Sequence, residues 1–321
     1  MRIDPLRRRL LQGFACIGAG VALAPCCLKG TALAASGEMT LTMRKIADGV
    51  FAFQGVTALT TPENQGAIAN LGVIVGADSV AVIDSGGSMI EGRALAAAIK
   101  DLADKPVRYL INTHMHPDHI FGNAAFPDAT VVGHANLPGA LEARAAFYLR
   151  SYRNQLGEAL MKDVVIVPPT LLVQDRLELD LGGRMVELQA WRPAHTDNDL
   201  TVLDAATGTF FAGDLVFMGH LPTLDGSLLG WIRQMDLLRA VKAERVVPGH
   251  GPAPSGWPGA LDAERRYFDV LAHDLRKAIK DGVPLSEAVK TAGQSESDAW
   301  VLFDDYNERN ATAAYAELEW E

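Results

Sequence analysis

Beyond residue 48 the hydrophobic and polar positions fall into short apolar blocks separated by turn-forming residues. Residues 49–54 begin like a strand, and the apolar stretch 67–84 is broken at Gly76-Ala77-Asp78-Ser79, which predicts two strands joined by a hairpin turn. Ser88 opens a helix whose apolar positions Ile90, Leu95, Ala98 and Ile99 recur at roughly helical spacing. Lys105-Pro106 ends it ahead of the strand 107–112, giving a βαβ unit whose second strand leads into His114. Residues 130–133 form a further strand, and the Ala- and Leu-rich stretch 135–162 predicts one or two helices. After Pro169 the segments 171–173, 177–181, 185–190, 200–204 and 209–212 are separated by Asp, Gly-Gly and Thr-Gly turns, which predicts a run of antiparallel strands. A helix over 229–242 leads to the strand 245–248, and the remaining residues are mostly helical by pattern. Strands, helix, strands, helix, with chemistry-bearing residues at strand ends, predicts an α/β (α+β) fold of two sheets packed face to face with helices outside.

Composition adds scale to that picture. The 321 residues are 49% hydrophobic and 21% charged, an ordinary globular balance with material for one sizeable core. No Pro/Ser-rich linker or charge run splits the middle of the chain, so the expected organisation is a leader over 1–34, a main domain over 35–255, and a helical extension over 256–321 packed on it. The leader resembles a twin-arginine export signal: Arg7-Arg8-Arg9-Leu10-Leu11 precedes an apolar Gly/Ala-rich run over 14–25, and Ala32-Leu33-Ala34 offers a cleavage site. Its alternatives are a membrane anchor, for which the Gly- and Pro-interrupted run is short, and lipid attachment at Cys26, which Pro25 fits poorly. Cleavage after Ala34 implies a periplasmic protein with no remaining membrane attachment. All three cysteines, Cys16, Cys26 and Cys27, lie in the leader, so metal ligands in the mature chain would have to be His and carboxylate. The mature chain would carry 24 basic against 38 acidic residues, net −14, which argues against nucleic acid as a partner.

The strongest chemical signal is His114-Met115-His116-Pro117-Asp118-His119, four potential ligands within six residues directly after an apolar strand. His114 and His116 can project to one side of an extended loop, and Asp118 and His119, beyond Pro117, can face a second point nearby. Imidazole and carboxylate suit Zn²⁺ and also Fe or Mn. The bland alternative is a His-rich surface loop, although three of only eight histidines fall here.

This run is similar to the H-x-H-x-D-H signature of the metallo-β-lactamase superfamily, and further motifs follow in that family's order. Asp84 ends an apolar strand, His195 lies in Ala194-His195-Thr196-Asp197-Asn198, Asp214 in Phe211-Ala212-Gly213-Asp214, and His250 in Pro248-Gly249-His250-Gly251. The resemblance implies a four-layer αββα sandwich. It implies one metal on His114, His116 and His195, a second on Asp118, His119 and His250, with Asp214 bridging. Two such ions acidify a shared water, so no Ser or Cys nucleophile is required. Asp118 would also orient the nucleophile or shuttle its proton, and Asp84 would orient the His loop rather than bind metal. Asn198 is a candidate oxyanion donor by resemblance to the β-lactamases, or a turn residue. His220, six residues beyond Asp214, is within reach of substrate or is structural; His134 and His273 read as structural or surface residues.

Departures from well-known members bear on the substrate, a small molecule. Asp214 stands where β-lactamases with a similar His-Thr-x-Asp-Asn pattern carry Cys, and no Lys follows to hold a β-lactam carboxylate. The chain resembles most the SoxH-related quinoprotein relay system zinc metallohydrolases, through residues 64–70, Gly219-His220-Leu221-Pro222, residues 225–231 and residues 306–321. That resemblance implies a periplasmic protein working beside quinoproteins or cytochromes, with no substrate assigned; the metal chemistry itself leads to a zinc hydrolase of esters, thioesters, lactones or amides, β-lactams among the options. The alternatives are a mononuclear-iron persulfide oxygenase and a non-hydrolytic metal-binding accessory protein. Ser227 and Trp231 read as pocket wall or as helix entry, and the Tyr- and Trp-bearing tail as a packing helix.

Overall fold

The computed structural model describes residues 39–321, so the leader expected over residues 1–34, with the three cysteines, lies outside the described residues. One sheet takes seven strands in chain order: Arg44–Ala47 (β1), Val50–Phe53 (β2), Leu71–Val75 (β3), Val80–Ile83 (β4), Val107–Ile111 (β5), Thr130–His134 (β6) and Leu171–Val173 (β7). The other takes six: Arg176–Asp180 (β8), Met185–Ala190 (β9), Leu200–Asp204 (β10), Thr209–Phe217 (β11), Arg245–His250 (β12) and Ser255–Gly256 (β13). The helices are Met89–Leu102 (α1), Pro117–Ile120 (α2), Leu137–Leu156 (α3), Glu158–Met161 (α4), Leu228–Leu238 (α5), Asp262–Lys280 (α6), Leu285–Thr291 (α7) and Phe303–Leu318 (α8). Parallel neighbours need a long crossover. Accordingly β4 and β5 are bridged by α1, and β11 and β12 by α5.

The four-layer expectation is met, and strand β4 shows why. Its side chains alternate: Val80 and Val82 pack with Leu95 and Ile99 of α1, while Ala81 and Ile83 meet Val186, Leu188 and Val202 of the facing sheet. Strand β11 does the same on the other side. Phe210 and Ala212 share a core with Trp231 and Met235 of α5 and Phe268 of α6, whereas Phe211 lies between the sheets. Both faces of each central strand are buried, which is why these segments read as continuous apolar runs. Each such side chain contributes about 1.5–3 kcal/mol through burial. Helices α6 and α8 belong to the outer core as well, through Tyr267, Leu271, Ala311 and Ala314.

Two details differ from the pattern-based expectation. Residues 171–173 do not start the antiparallel run; β7 pairs in parallel with β6, and the chain crosses between sheets over Gln174 and Asp175. Strand β11 continues to Phe217 instead of ending at 212, every residue buried. The extension carries a register shift at Gly213, whose φ of +53° and whose would-be Cβ, 2.7 Å from the Thr113 Cβ, both call for glycine. Gly157, at φ +84°, separates α3 from α4 within the predicted helical stretch.

Candidate metal centre

The site forms where strand ends of both sheets meet. Strand β5 delivers His114 and His116, and Pro117 at the first position of α2 turns the chain so that Asp118 and His119 face inward. Strand β9 leads to His195, the bulged half of β11 carries Asp214, and His250 is the last residue of β12. All seven predicted ligands are brought together. They fall into two groups, His114, His116, His195 and Asp214, and Asp118, His119 and His250, with the ligand atoms in each within 4.8 Å of one another. His195 Nε2 is 2.9 Å from His116 Nδ1 and 3.3 Å from His114 Nε2. Asp214 spans the groups, its Oδ2 3.4 Å from both His195 Nε2 and His250 Nε2 and its Oδ1 3.2 Å from His119 Nε2.

Hydrogen bonds on the outer ring nitrogens show what these atoms can do. The outer nitrogens of His195 and His250 face the carbonyls of Thr223 (2.7 Å) and Ile68 (3.0 Å). Those of His119 and His116 face the carboxylates of Asp84 (2.8 Å) and Asp225 (3.0 Å). His114 Nδ1 lies 3.0 Å from Thr113 Oγ1, whose own proton goes to Asp84 at 2.7 Å. Each of these partners accepts, so each neutral ring carries its proton outside and turns a lone pair inward. In their neutral form these five rings, with two carboxylates in two adjoining groups, make a cation's donor set. His119 Nε2 and Asp214 Oδ1 are buried without any hydrogen-bond partner, an arrangement that costs about 1–3 kcal/mol per group unless a ligand satisfies it.

The electrostatics are uneven. Burial, then the neighbouring His119, holds His114 well below the usual imidazole range. His195 falls to about 3, mainly through burial. Burial also pulls on His250, but the carboxylates of Asp214 and Asp118 outweigh it and push that ring up to about 9. Burial raises Asp118, yet the charges of His119 and His250 bring it far below the usual carboxylate range.

Glu91, fully buried on α1, supports the loop beside Asp118 by accepting from Gly87 N–H at 2.7 Å. Burial, partly offset by that N–H and reinforced by the charge on Asp118, pushes its carboxyl from 4.5 up to about 8. Between those values the folded chain holds a proton that the unfolded chain has released. Its contribution to stability is therefore full below about pH 4.5 and lost as pH rises to about 8, by up to roughly 1.4 kcal/mol per unit. In urea unfolding of chelator-stripped protein, Glu91→Gln is expected to flatten that decline, gaining on the parent between pH 5 and 8. Parallel pH profiles for the two would contradict it.

The remaining candidates are placed as follows. Asn198 is buried in the turn after His195, its Nδ2 donating to Asp197 at 2.8 Å. His220 is buried against His250, ring centres 5.0 Å apart, and is held by the Leu221 carbonyl at 2.6 Å. Ser227 caps α5, and Trp231 is a core residue with its ring 5.4 Å from that of His195. His134 is buried and accepts from Asn136 N–H, and His273 is exposed. Sequence reasoning missed Asp225, which is ion-paired to Arg144 and 3.8 Å from Arg309 while it holds His116. Its residue type in a Gly-containing turn gave no signal of that role.

A model of the metallo-β-lactamase superfamily matches residues 65–250, a span that holds all seven convergent residues, and the chain belongs to that superfamily. It is 23% identical over 234 residues to the linear primary-alkylsulfatase of Pseudomonas sp. (strain ATCC 19151), covering 61% of this chain and 44% of that protein. Among solved structures, the stereoselective inverting sec-alkylsulfatase Pisa1 from Pseudomonas sp. superposes with a TM-score of 0.68 at 15% identity, covering 86% of this chain and 50% of that one. The metallo-β-lactamase FIM-1 from Pseudomonas aeruginosa, in its mono-zinc form, gives 0.54 at 18% identity over 72% of this chain and 96% of its own. The chain thus spans half or less of the length of the alkylsulfatases it matches. At these identities the structural likeness speaks for the fold alone.

Proposed function

We propose that this chain is a zinc-dependent hydrolase, one ion held by His114, His116 and His195, the other by Asp118, His119 and His250, with Asp214 between them. The observation that carries the reading is the inward convergence of five imidazole lone pairs and two carboxylates. Zinc bound there lowers the pKa of water toward neutrality and draws charge from a substrate oxygen. The chain's own groups do the rest. Asp118, its Oδ2 3.3 Å from His250 Nε2, is placed to orient water and take its proton. His220, lowered to about 4 by burial and then by His250, is a neutral ring whose Nδ1–H is spent on Leu221 O. Asn198 keeps one amide N–H beyond its bond to Asp197 for a developing oxyanion.

A groove of about 680 Å³, lined by Asn136, Gly139, Ala143, Arg144, Asp197 and Asp225, adjoins the site through Asp225, the residue that holds His116, and is the candidate approach for substrate. The substrate classes are esters, thioesters, lactones and amides, β-lactams included, and the alkylsulfatase likeness adds sulfate esters. The basic and apolar pattern of residues 1–34 supports export to the periplasm, and the resemblance over residues 64–70, 219–222, 225–231 and 306–321 supports work beside quinoproteins. The test is metal content on protein matured by its own export route, with a panel of lactam, lactone, thioester and alkyl sulfate substrates. Two zinc ions per chain and turnover lost to chelator and restored by zinc are expected. One iron per chain without hydrolysis would overturn the reading in favour of sulfur oxidation.

A further inference from the structure

Asp84 serves both metal pockets, holding His119 directly and His114 through Thr113, but the other orienting groups come from different parts of the chain. Asp84 and the Ile68 carbonyl orient His119 and His250 of the second group. In the first group, His195 is held by the Thr223 carbonyl and His116 by Asp225, two residues apart in one loop. That loop has its own clamp. Asn310 of α8, fully buried, accepts from Leu224 N–H at 2.9 Å and donates to the Pro222 carbonyl at 2.6 Å, gripping the backbone on both sides of Thr223. Asn310 is fixed in turn by Tyr267 Oη at 3.1 Å; Tyr267 donates to Asn307, and Asn307 to the Ala292 carbonyl. Glu317, two turns further along α8, accepts from Ser227 Oγ at 2.6 Å, where the loop enters α5.

We infer that Asn310 is a positioning residue for the first metal pocket, and that the C-terminal helix sets the zinc affinity of that pocket alone through the loop 222–225. A buried amide that satisfies a donor and an acceptor on one short loop fixes the carbonyl between them. Orienting groups of ligating histidines change metal affinity by about 10–100-fold. The inference rests on the ligand reading above.

The experiment is stepwise zinc titration of chelator-stripped protein against a chromogenic competing chelator, with His116→Ala identifying the first pocket's binding step. Asn310→Ala is expected to weaken that step about tenfold and to leave the other within about twofold. Asp225→Asn, on a partly exposed loop, serves if Asn310→Ala fails to fold, and should weaken the same step. Combined, the two substitutions should cost less than the product of their separate effects, because both act through one loop. Equal weakening of both steps, a lowered unfolding midpoint with zinc affinity unchanged, or strictly multiplicative effects would overturn the inference. Should the parent protein take up no zinc, the ligand reading falls with it; should it take two ions while Asn310→Ala keeps both, the positioning role alone falls.

Discussion

Asp214→Ala is expected to lower turnover by about 10³-fold or more and to leave the purified protein with less than one zinc per chain. Asp214 touches four of the five inward imidazoles, with Oδ2 3.7 Å from His114, 3.4 Å from His195 and 3.4 Å from His250, and Oδ1 3.2 Å from His119. It belongs to the first group, reaches His119 and His250 of the second, and is only 4% exposed, so its charge is not replaced from solvent. Two cations placed close together without that carboxylate would repel with little screening. The loss of several kcal/mol of charge stabilisation corresponds to about three powers of ten in rate. The fold should survive, because the neighbours of Asp214 on β11 remain: Leu215, Val216 and Phe217 keep their place in the outer core. Zinc content by elemental mass spectrometry, far-UV circular dichroism and turnover on the best substrate of the panel decide it. A folded variant with two zinc ions and parental turnover would show that Asp214 does not belong to the working site.

How far the sequence was legible depended on the range over which each feature is specified. The unit β4–α1–β5 was readable because its signals are local: the apolar runs, Ser88 as helix cap and Lys105-Pro106 as stop all lie within about thirty residues. The ligand set was readable because unlike chemistry recurs in short motifs. The partner of β7 was not, since three residues of apolar type fit a parallel edge as well as an antiparallel meander, and the choice lies in the pairing with Val132, Gly133 and His134. The extension of β11 was hidden behind Gly213, which reads as a strand end but works as a bulge against Thr113. Asp225 and Asn310 were illegible for a different reason. Each is an ordinary polar residue whose meaning comes from a contact with His116, 109 positions away, or with Leu224, 86 positions away.

Asp84 joins the readable and the unreadable parts of the site, and substitutions there should separate stability from metal binding. The residue is 1% exposed and accepts three hydrogen bonds: Thr113 N–H at 2.8 Å, Thr113 Oγ1 at 2.7 Å and His119 Nδ1 at 2.8 Å. Asp84→Ala leaves those donors buried without partners and places alanine at φ +58°, where Asp and Asn are tolerated better. A loss of about 3–5 kcal/mol in chemical unfolding is expected. Asp84→Asn keeps the backbone preference and the bond to the Thr113 amide, but it turns a donor toward Thr113 Oγ1, whose hydroxyl can rotate to accept, and toward His119 Nδ1, which is itself a donor. The ring of His119 can avoid that conflict only by moving its proton to Nε2, the nitrogen that faces the metals. Asp84→Asn should therefore lose only about 1–2 kcal/mol of stability while weakening zinc binding at the second pocket by about 10–100-fold. Zinc titration beside urea unfolding distinguishes the two variants. Equal stability losses with intact zinc affinity in Asp84→Asn would mean that Asp84 braces the loop without choosing the tautomer of His119.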